Sequence, residues 1–177
     1  ALEAALGAYG RAEEYGVAQV TTASALAMAD LYRDLGKSLL ESDRPKNLDA
    51  EELEQYDVLL EEQAFPFEEK AIGIHERNAR LAAQGVYDEW VQKSYAELAQ
   101  LKPGRYARSE VADAPVAPVA GPALPPEADP AVQNQLGVQK RQAGQFADAQ
   151  AAYERALALD PNYADAERNL AILHDLY

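Results

Sequence analysis

The sequence predicts an all-α protein whose antiparallel helical hairpins stack side by side as an α-solenoid. Apolar residues recur at three-to-four-residue spacing along most of the chain, and no stretch alternates with period two for long enough to form a strand. Short breaks built on Gly, Pro and Asp separate the periodic segments. Connections of roughly two to eight residues cannot carry the chain back along a helix of about 20 Å or more, so consecutive helices lie antiparallel.

Leu2, Leu6, Tyr9 and Ala12 stripe a first helix that ends by Gly16. The chain has no initiating Met and closes on an unbroken helical pattern from Asn169 to Tyr177, which reads as a piece of a longer protein; the first helix is then expected to lack packing partners. Thr21 and Thr22 are candidate N-caps for a helix of about five turns, with Ala23, Leu26, Ala27, Leu31 and Leu35 on its apolar side up to Leu39 and Leu40. Asp49 and Glu52 spell a capping box, in which the aspartate accepts from first-turn amides and the glutamate reaches back to the Asp49 amide. Leu53, Tyr56, Leu60 and Ala64 continue that helix to Pro66. The missing donor there predicts a kink or a restart, and the restart is preferred because Glu68 and Glu69 then fall in the first turn of a new helix. Ala71, Ile74, Asn78 and Leu81 line the next face up to Gly85, a candidate left-handed C-cap. Trp90, Val91, Tyr95, Leu98 and Leu101 repeat the pattern up to Pro103 and Gly104. Residues 1–110 are expected to form one helical unit.

Residues 111–129 read VADAPVAPVAGPALPPEAD and hold five of the ten prolines with no aromatic residue. Proline fixes φ, removes a donor and pushes its predecessor out of the helical region, so an extended, solvated spacer is expected. Pro115 with Pro118, and Pro122 with Pro125, also satisfy PxxP spacing, but neither pair carries the flanking Arg or Lys that orients such a docking ligand.

Residues 130–177 carry the most specific pattern: Leu136-Gly137, then Ala149, Tyr153 and Ala156, then Pro161. Small residues at Gly137 and Ala149 let two helices of a hairpin cross closely, Tyr153 and Ala156 form knob and hole against the next helix, and Pro161 ends the second helix after Leu159-Asp160. This pattern resembles the tetratricopeptide repeat, with the pair, the Ala-x-x-x-Tyr-x-x-Ala run and the closing Pro at that family's spacings. A shift of 34 residues lays Leu170-Ala171 on Leu136-Gly137, so a second repeat opens at Ala164 and stops after its first helix. Gln133 and Lys140 depart from the family, which tends to place aromatic residues there. A hairpin of this size cannot cover its own apolar face and must be capped by a neighbour.

The first unit also looks familiar. EEQAFPFEEKAIGIHERNARLAAQGVYDEWVQKSYAELAQLKPGRYARSE, with the helical sequence before it, resembles the C-terminal part of large tetratricopeptide proteins of the Gram-negative cell envelope that accompany Tol-, Ton- or Mot-type motors in gliding motility or energised uptake. That resemblance covers roughly residues 9–110 and implies a periplasmic or outer-membrane-associated scaffold, with a cytoplasmic setting left open.

Catalytic and cofactor chemistry finds no foothold in the motifs. With no Cys, thiolate nucleophiles and Cys-ligated metals are excluded. His75-Glu76 opens like a zinc-protease helix but lacks the second His four residues on, and His174, at a position the repeat packs between helices, stands far away in sequence. No Gly-rich phosphate loop and no Gly-x-Ser-x-Gly elbow occurs. The carboxylates Asp49, Glu51, Glu52, Glu54, Asp57, Glu61 and Glu62 lie around a helix circumference instead of converging as an ion loop would, so a solvated face or an acidic docking surface is expected there, and no cofactor or metal. A net charge of −14 repels phosphate backbones and anionic lipids, which argues against nucleic-acid and membrane-surface binding. No apolar run approaches the roughly 18–20 residues of a spanning helix, so no membrane insertion is expected within this chain.

In tetratricopeptide arrays the first helices of successive hairpins line a concave groove for peptide segments. Carried over by that resemblance, the groove positions are Asn134, Val138 and Arg141 on one helix and Arg168, Ile172 and Asp175 on the next, each set sharing a face. The family's carboxylate-gripping arrangement wants Lys at Asn134 and Asn at Val138, and both are missing. A groove with two Arg, one Asp and two aliphatic residues suits a partner segment with apolar and acidic side chains. The expected function is a non-enzymatic scaffold that binds protein partners within an envelope assembly. A purely structural spacer of a long solenoid, or a non-catalytic part of an enzyme with its active site elsewhere, are the alternatives.

Overall fold

The computed structural model describes residues 2–112 and 126–177, and all regular structure among them is helical. The expectations for residues 113–125, both PxxP pairs included, lie outside the described residues. The chain divides into two compact units, Ala1–Lys102 and Pro103–Tyr177.

In the first unit, α1 (Leu2–Glu13) packs on α2 (Ala18–Leu40), which runs along α3 (Ala50–Ala79); a 3-10 turn (Arg80–Gln84) leads to α4 (Glu89–Leu101), which packs on α3 and α2. The seam is built from small residues: Ala25, Ala29, Ala64, Ala71, Ala79 and Ala82 are buried beside Leu26, Leu60, Val91 and Leu98. Side chains this short let helix backbones approach closely, and a set of hydrogen bonds then fixes their register. Asn78 Nδ2 donates to the Thr22 carbonyl at 3.2 Å and to Ser94 Oγ at 2.9 Å. Thr22 Oγ1 donates to Asp88 Oδ2 at 2.6 Å, while Asp88 Oδ1 caps α4 by accepting from the Trp90 and Val91 amides at 3.0 Å each. Thr22, Asn78 and Ser94 are all buried, so each of these bonds replaces one that water would otherwise supply.

Local signals in this unit meet mixed outcomes. The Asp49 capping box is present in full, and Gly85 closes the 3-10 turn at φ 84°, where a Cβ would be strained. Thr21 and Thr22 do not cap: α2 starts earlier, after Val17, and Thr22 sits inside the helix with its Oγ1 3.0 Å from the Ala18 carbonyl. The tie to Asp88 outweighs the local preference of threonine for a helix start. Pro66 does not break the chain into two helices either; α3 runs through it. Glu62, Phe65 and Pro66 are exposed, so water can satisfy the Glu62 carbonyl that loses its donor. On the packed side Gly36 of α2 keeps α3 close, a Cβ there standing 3.5 Å from the Ala64 carbonyl and from Phe67 Cβ.

In the second unit, α5 (Pro103–Tyr106) is a single turn followed by residues 107–112 without regular structure. A 3-10 turn (Pro126–Ala128) precedes α6 (Pro130–Gln142), α7 (Phe146–Leu159) and α8 (Ala164–Leu176). Asp129 caps α6 through the Ala131 amide at 2.9 Å, with Pro130 in the first turn, where a missing N–H is harmless. Helix α7 stops at Leu159, ahead of Pro161 as expected. Tyr153, Ala149, Val138 and Leu173 form the core, flanked by Phe146, Leu170 and Tyr177; the Phe146 and Tyr177 rings stack at 4.5 Å. Gly137 lies flat against the Tyr153 ring. His174, expected between helices, is exposed, because α8 buries the stripe Ala166, Asn169, Ile172 and Leu173 and turns residue 174 to solvent.

Candidate functional site

Helices α6 and α8 present one side to the segment that follows α5. Of the positions chosen from sequence, Asn134, Val138 and Ile172 are buried, Arg141 is about three-quarters covered, and Arg168 and Asp175 are exposed. Asn134, Arg141 and Asp175 touch the segment, and no hydrogen bond or ion pair to it involves Arg168. The residue on α8 that faces Asn134 is Asn169, one position further along and fully buried.

The two asparagines act as a pair. Asn169 Nδ2 donates to Asn134 Oδ1 at 2.9 Å, which orients both amides. Asn169 Oδ1 then accepts from the Val111 amide at 2.8 Å, while Asn169 Nδ2 and Asn134 Nδ2 donate to the Val111 carbonyl at 2.9 and 3.2 Å. A peptide unit is thus held through both its donor and its acceptor by side chains that ignore what Val111 carries.

Beside this grip lies a charged anchor. Arg141 Nε donates to Glu110 Oε2 at 2.6 Å, and the Glu110 side chain is 1% exposed. By strict geometry Glu110 Oε1 and Tyr153 Oη are each buried without a partner. Burial first, and then the neighbouring Glu110 charge, push the Tyr153 phenol well above its ordinary pKa. At the rim, Arg105 donates to the Asp175 carbonyl at 3.2 Å, and Arg108 pairs with the Asp175 carboxylate. These groups are exposed, and such pairs contribute at most about 1 kcal/mol.

Residues 129–175 match the family model described as TPR repeat. This stretch is a TPR repeat. The match covers α6, α7 and nearly all of α8, so the face described above is formed by elements that lie within the matched stretch. A TPR repeat is typically a non-catalytic protein-interaction module, and no catalytic family is found in the chain. No curated protein and no solved structure matches the chain. No finding supports the resemblance of residues 9–110 to motor-associated envelope proteins.

Sequence reasoning missed Asn169, Glu110 and Val111. Asn169 carried a usable signal: an amide in the otherwise apolar stripe Ala166, Ile172, Leu173 has to find partners in the fold. Shifting Asn134 by the repeat period lands on Arg168 instead, because a period aligns sequence positions while the rotation of α8 decides which residue faces α6. Elsewhere, the acidic run on α3 stays spread out: Glu51, Glu52, Glu54, Glu61 and Glu62 are exposed, and Asp57 accepts from Arg44 at 2.6 Å. Among the described residues no three His, Asp or Glu side chains converge as metal ligands, and no helix is long and apolar enough to cross a membrane.

Proposed function

We propose that the chain is a non-enzymatic interaction module whose concave face between α6 and α8 binds a peptide segment of a partner protein. The observation that carries this reading is the Asn134–Asn169 pair, whose buried amides meet their hydrogen-bonding needs on the backbone of a non-helical peptide. Such a grip accepts many sequences, and Arg141 adds selection for a carboxylate at the preceding position. A setting within a larger cell-envelope assembly, periplasmic or outer-membrane-associated, is proposed on the sequence resemblance of residues 9–110 alone. Fractionation of the parent organism tests that setting separately.

Site-specific photo-cross-linking tests the binding face. A photoreactive side chain at Asp175, on the groove rim, should capture a partner from the native assembly, and the same group at Glu154, exposed on α7, should not. Arg141→Glu should abolish the capture at Asp175. Capture that survives Arg141→Glu, or that occurs only at Glu154, would favour the solenoid-spacer alternative.

A further inference from the structure

We infer that Arg105–Val111 is a tethered ligand of the TPR groove, and that the partner this groove takes in its place is a peptide carrying a glutamate followed by a small apolar residue, with basic residues upstream. The inference rests on the groove reading and deepens it. Of residues 103–112, only Tyr106, Glu110 and Val111 are even half-buried, and none belongs to the hydrophobic core around Tyr153. The segment lies outside that core and is attached to the groove by polar groups. Those attachments are ranked by burial. The Glu110 carboxylate is enclosed between Arg141 and Tyr153, the Val111 peptide group is held at both ends by the asparagines, and Arg105 and Arg108 sit at the exposed rim on Asp175.

The groove thus reads a pattern, Arg-x-x-Arg-x-Glu-Val in this chain, in which the glutamate and the following backbone dominate. Its chemistry is ordinary for a surface segment of another protein, so a partner with the same pattern can compete. The tether sets the terms of competition. A short covalent connection presents its ligand at an effective concentration of about 1 mM, so a free peptide of equal intrinsic affinity must reach that concentration to displace it. The groove is then closed to weak or scarce partners and open to those that bind more tightly or are held close by other contacts.

The test uses the full 177-residue chain and a labelled peptide copying residues 105–113, RYARSEVAD, followed by fluorescence anisotropy. The wild-type chain should bind it only in about the millimolar range. Two variants dislodge the tether by unrelated chemistry: Glu110→Ala removes the buried carboxylate, and Val111→Pro removes the amide that Asn169 accepts. Each should bind the peptide at least about tenfold more tightly, with helix content by circular dichroism matching wild type. Adding Asn169→Ala should return binding to the wild-type level or below. A peptide with Glu replaced by Lys should fail on both. In the wild-type chain the Val111 amide should be protected from hydrogen exchange and lose that protection in excess peptide. Equal peptide binding by wild type and variants, or equal binding of the Lys peptide, would overturn the inference and make residues 105–111 a fixed part of the fold. The photo-cross-linking result would stand either way, so failure here is distinguishable from failure of the groove itself.

Discussion

Gly137→Ala places a methyl group where no room exists. A Cβ built on Gly137 would lie 2.5 Å from Tyr153 Cδ1, 2.8 Å from Cζ and nearer still to Cε1, all ring atoms of a fully buried side chain at the centre of the second unit. Ordinary carbon–carbon contact is about 3.5–4.0 Å, so the ring or the helix must move by about 1 Å. The ring is held by Val138, Ala149 and Leu173, which leaves α6 to shift away from α7. Overpacking costs about 1–3 kcal/mol, and an overlap with three ring atoms at once falls in the upper part of that range, about 2–3 kcal/mol, against which alanine returns about 1 kcal/mol of helix propensity. The net expectation is a loss of about 1–2 kcal/mol, or a fall of about 5–15 °C in the melting temperature of a unit this size. Gly73→Ala supplies the opposite sign in the same chain: Gly73 is exposed on α3 with nothing within 4 Å of its added Cβ, so only the propensity gain of about 1 kcal/mol remains. The single tryptophan, Trp90, reports the first unit, and circular dichroism at 222 nm reports both. Gly137→Ala should lower the ellipticity transition that Trp90 does not follow, and Gly73→Ala should raise the one it does. A Gly137→Ala chain as stable as wild type would refute the packing argument.

Three further outcomes are expected. His75 is fully buried, and burial above all, opposed by the Glu97 charge and reinforced by Arg33, lowers its pKa from the ordinary 6.5 to about 4. The neutral imidazole therefore stabilises the fold fully above about pH 6.5, and this contribution is lost as pH falls from there towards 4; urea titrations should show about 2 kcal/mol less stability at pH 5 than at pH 7.5 for wild type, and a much flatter profile for His75→Gln. Asp49→Ala removes the acceptor for the Glu51 and Glu52 amides, at 3.0 and 2.9 Å, and should cost about 1 kcal/mol by chemical denaturation followed at Trp90. Asn78→Ala strips the bonds to the Thr22 carbonyl and Ser94 Oγ inside a closed seam; a loss of about 2–3 kcal/mol is expected, and a loss below about 0.5 kcal/mol would show that helix register does not depend on it.

Helical periodicity, the Asp49 capping box, the Gly85 cap and the need for small residues at Gly137 and Ala149 were legible because each depends on residues within one or two turns or on a spacing a repeat preserves, whereas the Tyr153 ring seated on Gly137 was not foreseen. The departures came where distant groups outvoted local ones. Thr22 resembles a helix start, and only Asp88, far along the chain, explains why it lies within α2. Pro66 resembles a helix stop, and only its position on a solvated face explains why α3 passes through it. Neither fact is encoded in a window around the residue concerned.

The groove shows the same division in a sharper form. Choosing Asn134 and Arg141 needed only the repeat's periodicity, which assigns a face to each helix. Choosing Asn169 over Arg168 needed the angle at which α8 meets α6, and recognising Glu110 and Val111 needed to know that chain from before the repeat returns to it. What lies against this face is a carboxylate on Arg141 and the Val111 backbone between the asparagines. The composition of such a face constrains the chemistry of whatever covers it, because an Arg that is three-quarters covered must be paired and two buried amides must be satisfied, whichever peptide does it.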